Sequence, residues 1–148
     1  MKTYKIASIP GDGIGPEVVE AGVRVLQALA ARDGGFKLEV ETFPWGADYY
    51  FEHGVMMPDA GLDTVKAFDA IYFGSAGDPR LPDHLTLWQL RLRICQGLDQ
   101  YANVRPTRVL PGVPCPLRGI GPGGFDWVIV RENSEGEYAG VGGRAHQG

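Results

Sequence analysis

With 148 residues, 44% of them apolar and 22% charged, the chain is long enough to bury one core, and its composition excludes a disordered or low-complexity segment. Its net charge of −4 and its lack of a long basic run exclude the footprint that nucleic acid or an anionic membrane surface requires, so a small molecule is the expected partner. The first apolar stretch, Ile6 to Pro10, is too brief for a signal-peptide core or a membrane span, and the expected compartment is the cytoplasm.

Tyr4 to Ile9 reads as a buried strand that stops in a tight turn at Pro10-Gly11. A helix follows, with Pro16 at its first position and Glu17 in its first turn. Val18, Gly22, Val25, Leu26 and Leu29 share one face, and Gly34-Gly35 ends the helix. From Phe36 to Phe43 apolar Phe36, Leu38 and Val40 alternate with Lys37, Glu39 and Glu41, the pattern of a strand with one wet face. A second helix is predicted from Pro58 to Phe68, then a short buried strand, Ala70 to Phe73, ending at Gly74-Ser75-Ala76-Gly77. Strand and helix in alternation predict an α/β fold whose mostly parallel sheet is flanked by helices.

Leu87, Leu90, Leu92, Ile94 and Leu98 give Leu85 to Leu98 helical spacing, with Arg91 and Arg93 as its cations. Strand-like sequence resumes at Tyr101. Leu110 to Gly124 is full of Pro and Gly and reads as loop, after which Trp127 to Val130 is a strand running into Arg131-Glu132-Asn133. Cys95 and Cys115 lie far apart without a CxxC pair, and both are expected to be reduced thiols.

Gly11-Asp12-Gly13-Ile14-Gly15-Pro16-Glu17 follows a strand and opens a helix, where backbone N–H groups commonly meet phosphate. A dinucleotide fingerprint would place its third glycine at Pro16, although Glu39 or Glu41 could imitate the ribose-binding acid. On this motif alone a plain connecting turn is an equal reading.

The full run PGDGIGPEV, the segment Asn103-Val104-Arg105-Pro106 and the segment Val130-Arg131-Glu132-Asn133-Ser134-Glu135-Gly136-Glu137-Tyr138-Ala139-Gly140 resemble, in order, three motifs of the isocitrate and isopropylmalate dehydrogenase family. Asp83-His84-Leu85-Thr86-Leu87-Trp88 and Asp99-Gln100-Tyr101 look most like its tartrate and D-malate branch. The resemblance covers essentially the whole chain, but members of the family are much longer.

It implies an isopropylmalate-dehydrogenase-like three-layer fold, incomplete in this chain. Residues 1–101 would start the large cofactor domain, and residues 102–148 the substrate and dimerisation domain of a homodimer. It implies NAD-dependent oxidation, with decarboxylation, of a small 2-hydroxy dicarboxylic acid such as tartrate or D-malate.

Arg105 and Arg131 match the family's substrate arginines, and planar cationic forks suit carboxylates. In the isopropylmalate branch another arginine stands ten residues before the first of these; here that position is Cys95, and Arg91, one turn earlier, is the candidate substitute. Tyr138 matches the tyrosine that returns a proton to the enolate. Ile14, Ser75, Ala76 and Gly77 match residues beside the cofactor.

The three histidines and the scattered carboxylates suggest no metal site within the chain. By resemblance the aspartates that hold Mg²⁺ or Mn²⁺, the catalytic lysine and the adenine-binding loop come later than Gly148. Isopropylmalate dehydrogenase, a non-catalytic ligand-binding module and a true Rossmann domain are the alternatives.

Overall fold

The computed structural model describes residues 1–143, 145 and 146, which fall into two compact units, Met1–Leu98 and Asp99–Gly148. The first unit is a mixed α/β arrangement. Its strands β1 (Lys2–Gly11), β2 (Phe36–Thr42) and β3 (Ala70–Ser75) form a parallel sheet in the order β2-β1-β3. Helix α1 (Gly15–Asp33) carries the chain from β1 to β2, and the short helices α2 (Ala47–His53) and α3 (Gly61–Lys66) carry it from β2 to β3. The two crossovers, β1 to β2 and β2 to β3, run in opposite directions along the sheet and so cover opposite faces.

Both faces of β1 are consequently buried. Ala7 and Ile9 join Trp45, Met56, Met57 and Val65 in the core, while Ser8, pointing the other way, is 2% exposed. Each fully buried large apolar side chain here is worth about 1.5–3 kcal/mol. On the other face α1 approaches closely because glycine stands at the contacts. A Cβ on Gly22 would overlap the Tyr72 hydroxyl, and one on Gly74 would press on Val19.

The inward face of α1 is therefore Gly15, Val19 and Ala30, with Gly22, Val23 and Leu26 half-buried. This corrects the predicted face. Val18, Val25 and Leu29 are 44%, 67% and 52% exposed. Apolar residues surround α1 on two stripes, and the glycines decide which stripe meets the sheet.

The predicted helix from Pro58 to Phe68 contracts to α3. Helix α2 was not legible at all, because Tyr49, Tyr50 and Phe51 favour strands. The Leu85 to Leu98 helix is a continuous helical run of α4 (Asp83–Thr86), a π-turn (Leu87–Arg91) and α5 (Leu92–Gly97). Leu90 and Ile94, four residues apart, enter the core, whereas Leu92 is buried outside that cluster. No described helix is long and apolar enough to cross a membrane.

The second unit is built on an antiparallel hairpin of β4 (Ala102–Arg108) and β5 (Asp126–Glu132), with Val104 opposite Val130 and Arg105 opposite Ile129. The predicted Pro- and Gly-rich segment lies between them, with positive φ at Gly112, Gly119 and Gly123. Pro106 is tolerated because a two-stranded ladder has only edge strands.

At the end of β1, Gly11 pairs with Ser75 and has φ +68°, and a Cβ there would overlap the Ser75 carbonyl. Neither backbone can retreat without losing the 2.8 Å bond from Asp12 N to Ser75 O. Gly11→Ala is expected to destabilise the unit by about 2–4 kcal/mol. Urea unfolding followed by circular dichroism checks this; an unchanged midpoint would contradict the close approach.

Candidate functional site

Two groups of residues carry chemistry, one in each unit. In the first, the loop between β1 and α1 lies beside the loop that follows β3. Asp12 joins them, and sequence reasoning missed its role. It is 6% exposed; its Oδ1 accepts from Ala47 N at 2.6 Å and its Oδ2 accepts from Gly77 N at 2.9 Å. Its carbonyl accepts from Ser75 Oγ at 2.5 Å and from Gly15 N at 2.9 Å. The only sequence signal was a carboxylate between two glycines, a common turn pattern.

Ser75, Ala76 and Gly77, predicted to lie beside a cofactor, are thus brought together with the opening of α1. Ser75 ends β3, Ala76 is half-buried, and Gly77 is exposed at φ +145° with open space where a side chain would project. Ile14, just before α1, is 63% exposed. The start of α1 is a poor phosphate cradle, because the Gly15 amide already bonds Asp12 and Pro16 has none.

The acids of the Rossmann alternative, Glu39 and Glu41, are exposed on the edge strand β2, where Glu39 pairs with Lys5 and Glu41 with Ala7. Four to six residues of β1 separate those positions from Gly11, about 13–20 Å of strand.

The loop after β3 is also held further on. Arg80 donates to Asp78 through Nε at 2.8 Å and Nη2 at 2.6 Å, donates to Asp48 on α2 at 2.9 Å, and lies 4.5 Å over the Phe51 ring. These bonds from Arg80 pull the Asp78 carboxyl from 3.8 down to about 2. A depressed pKa stabilises the folded state above the unfolded value and loses that contribution as pH falls through the folded one. The Asp78–Arg80 contact is therefore expected to hold at pH 4 and to be lost between about pH 3.8 and 2, and the carboxyl ¹³C shift of Asp78 against pH checks it. A midpoint near 4 would contradict the pairing.

In the second unit the register places Arg105 and Arg131 on one face of the hairpin. Arg131 is opposite Asn103, and Arg105 is opposite Ile129, so the two arginines are diagonal neighbours, about 7–8 Å apart at the backbone. Arg131 is half-buried and Arg105 exposed. Arg131 Nη2 donates to Asn133 Oδ1 at 3.2 Å, and its guanidinium carbon lies 5.2 Å over the Tyr138 ring. Its Nε is buried with no hydrogen-bond partner.

Tyr138 ends a single 3₁₀ turn (Gly136–Tyr138), where it meets Arg131. Asn133, 2% exposed, was also missed. It anchors the cation from below by donating its Nδ2 to the Gln100 carbonyl at 3.2 Å. Glu132 holds the turn by accepting from Ser134 N at 2.7 Å and Glu135 N at 2.8 Å; the Ser134 amide leads in pulling its carboxyl below the usual range.

Two neighbouring cations repel, and a buried donor without an acceptor is costly. An anion on this face relieves the repulsion.

Arg91 closes the π-turn in the first unit, half-buried, four residues before half-buried Cys95. Both cysteines are free thiols. Among the described residues no group of three or more His, Cys, Asp or Glu could hold a metal ion.

Residues 5–147 match the family described as isocitrate/isopropylmalate dehydrogenase. The chain is 68% identical over 148 residues to a probable tartrate dehydrogenase/decarboxylase of Agrobacterium vitis, covering all of this chain and 41% of the relative. It is 53% identical over 150 residues to the decarboxylating D-malate dehydrogenase of Escherichia coli (strain K12), with the same coverage. The crystal structure of a beta-decarboxylating dehydrogenase from Thermococcus kodakarensis, in its apo form, superposes with a TM-score of 0.63 at 36% identity, over 90% of this chain and 35% of that one. The chain thus spans about two fifths of the length of the curated relatives it matches.

Proposed function

The chain belongs to the isocitrate/isopropylmalate dehydrogenase family, and on that premise we propose that it supplies the cofactor-side loop and the substrate cations of a decarboxylating dehydrogenase for a small 2-hydroxy dicarboxylic acid such as tartrate or D-malate. The names of the relatives point to that substrate class. The observation that carries the reading is the pair of arginines on one face of the hairpin, with the Arg131 guanidinium bonded to Asn133 and lying over the Tyr138 ring.

Arg105 and Arg131 bind the carboxylates and so fix the orientation of the carbon that bears the hydroxyl. The open space at Gly77 and the small residues Ser75 and Ala76 suit close approach of a flat ring, and Ile14 offers it an apolar contact. NAD, when bound there, supplies the hydride acceptor. Tyr138 delivers a proton to the carbon from which CO₂ has left, and the Arg131 guanidinium over its ring helps to hold it in place.

We assign Mg²⁺ or Mn²⁺ to ligands in the portion of the relatives beyond the match, since the described residues offer no donor set. Arg91 takes the place of the fork that Cys95 cannot supply. Cytoplasmic location and a homodimer are parts of the same proposal.

The test is a fusion of this chain to the remaining portion of the Agrobacterium vitis relative. With NAD and Mn²⁺ the fusion is expected to reduce NAD with D-malate or tartrate faster than with isopropylmalate or isocitrate, while the chain alone gives no turnover. A fusion that folds but oxidises none of the four contradicts the reading. The rival, a ligand-binding module without chemistry, predicts thermal stabilisation of the chain by D-malate with no turnover by the fusion.

A further inference from the structure

We propose that Asp12, with Arg80 as a second anchor, is a positioning residue that fixes the Ser75–Gly77 loop in the conformation that receives the dinucleotide. The inference rests on the assignment of that loop to the cofactor, made above.

Asp12 directs neither oxygen at a cation. Both accept backbone N–H groups, from Ala47, the first residue of α2, and from Gly77, the tip of the loop after β3. An exposure of only 6% strengthens these charge-assisted bonds, because little water competes for them. Its main chain holds the same loop again, donating to the Ser75 carbonyl at 2.8 Å and accepting from the Ser75 hydroxyl at 2.5 Å.

The second anchor closes the circuit. Arg80 ties the far side of the loop to Asp48 and Phe51, and both stand on α2, the helix whose first amide Asp12 caps. One short helix thus meets the loop at two points, and Asp12 reaches both the helix and the loop tip. Arg80 is exposed and its pairing is screened by water, so Asp12 is the stiffer anchor. Gly46 confirms how closely this is packed: a Cβ there would lie 2.5 Å from Asp12 Oδ1.

A loop whose conformation is set before the ligand arrives loses less freedom on binding, and that saving appears as affinity. Gly77, at φ +145°, has no side chain to hold it by packing, so its position depends on the bond from its amide to Asp12.

Asp12→Asn is the first variant, because it keeps the size and one acceptor while turning an amide NH₂ toward either Ala47 N or Gly77 N. Arg80→Gln is the second; its site is on the surface, so it tests the tether even if the first variant does not fold. Both are made in the fusion to the remaining portion of the Agrobacterium vitis relative, labelled with ¹⁵N, and NAD is titrated while backbone shifts are followed.

In the unmodified fusion NAD is expected to move the amides of Ser75, Ala76 and Gly77. Asp12→Asn is expected to weaken that binding about tenfold and Arg80→Gln about threefold, with faster amide exchange at Gly77 and an unchanged pattern along β1. A merely structural role would shift the unfolding midpoint and leave the affinity alone. Variants that free the Gly77 amide yet bind NAD as tightly as the parent would overturn the positioning role by itself. An unmodified fusion whose loop amides ignore NAD would overturn the cofactor assignment and, with it, this inference.

Discussion

Replacement of Arg131 by lysine, in the fusion that completes the enzyme, is expected to lower kcat/KM for the 2-hydroxy dicarboxylic acid about a hundredfold, or ~2.7 kcal/mol. Lysine keeps the charge and loses three things at once. The ammonium cannot span Asn133 Oδ1 and a carboxylate in one plane, it has no Nε donor at the buried position, and it covers the Tyr138 ring less well than the flat guanidinium. Both kcat and KM are expected to suffer, because the cation orients the substrate as well as holding it. Initial rates at saturating NAD measure the split. A change confined to KM and smaller than about threefold would show Arg131 to be a surface charge that merely attracts the acid.

Tyr138→Phe removes one oxygen and leaves the ring beneath Arg131, so the fold of the 136–138 turn and the substrate cation are kept. Loss of a positioned general acid costs about 10²–10⁴ in the step it serves. That step is the return of a proton after CO₂ departs, so hydride transfer and loss of CO₂ precede it and the keto product is expected to form far more slowly than NADH. The decarboxylated enol should then accumulate, and quantifying it against the keto product by NMR gives the answer. An unaltered product ratio would remove Tyr138 from the chemistry and return it to packing.

Both residues are named by their place in a motif shared with the family. Arg131 and Tyr138 belong to one short run of sequence, in which a strand, a turn held by Glu132 and a 3₁₀ step fix their spacing locally. Strands β1, β2 and β3 were equally legible, since alternation or a short apolar run ending at glycine is a local pattern. That Arg105 and Arg131 share a face follows from the register of β4 on β5, which no single segment encodes.

What stayed hidden depends on contacts distant in sequence. Asp12 reaches Ala47, 35 positions on, and Gly77, 65 positions on, and nothing around Asp12 announces either partner. Helix α2 is stabilised from outside by that same carboxylate, so its own residues, rich in Tyr and Phe, never had to spell a helix. The face of α1 was misjudged for a related reason: periodicity counts apolar side chains, whereas the sheet selected the stripe whose glycines let it approach. Asn133 was overlooked because an amide next to a glutamate in a turn is ordinary until its partner is known.

The central claim is that the paired arginines of the hairpin hold a dicarboxylic acid for oxidation and loss of CO₂. It is tested most directly by following NADH and CO₂ together from D-malate in the fusion, with and without the double change Arg105→Ala and Arg131→Ala. The account predicts equal amounts of the two products from the parent and, from the double variant, a rate reduced by about three orders of magnitude or more. Equal rates from the two proteins would contradict it and place substrate recognition elsewhere.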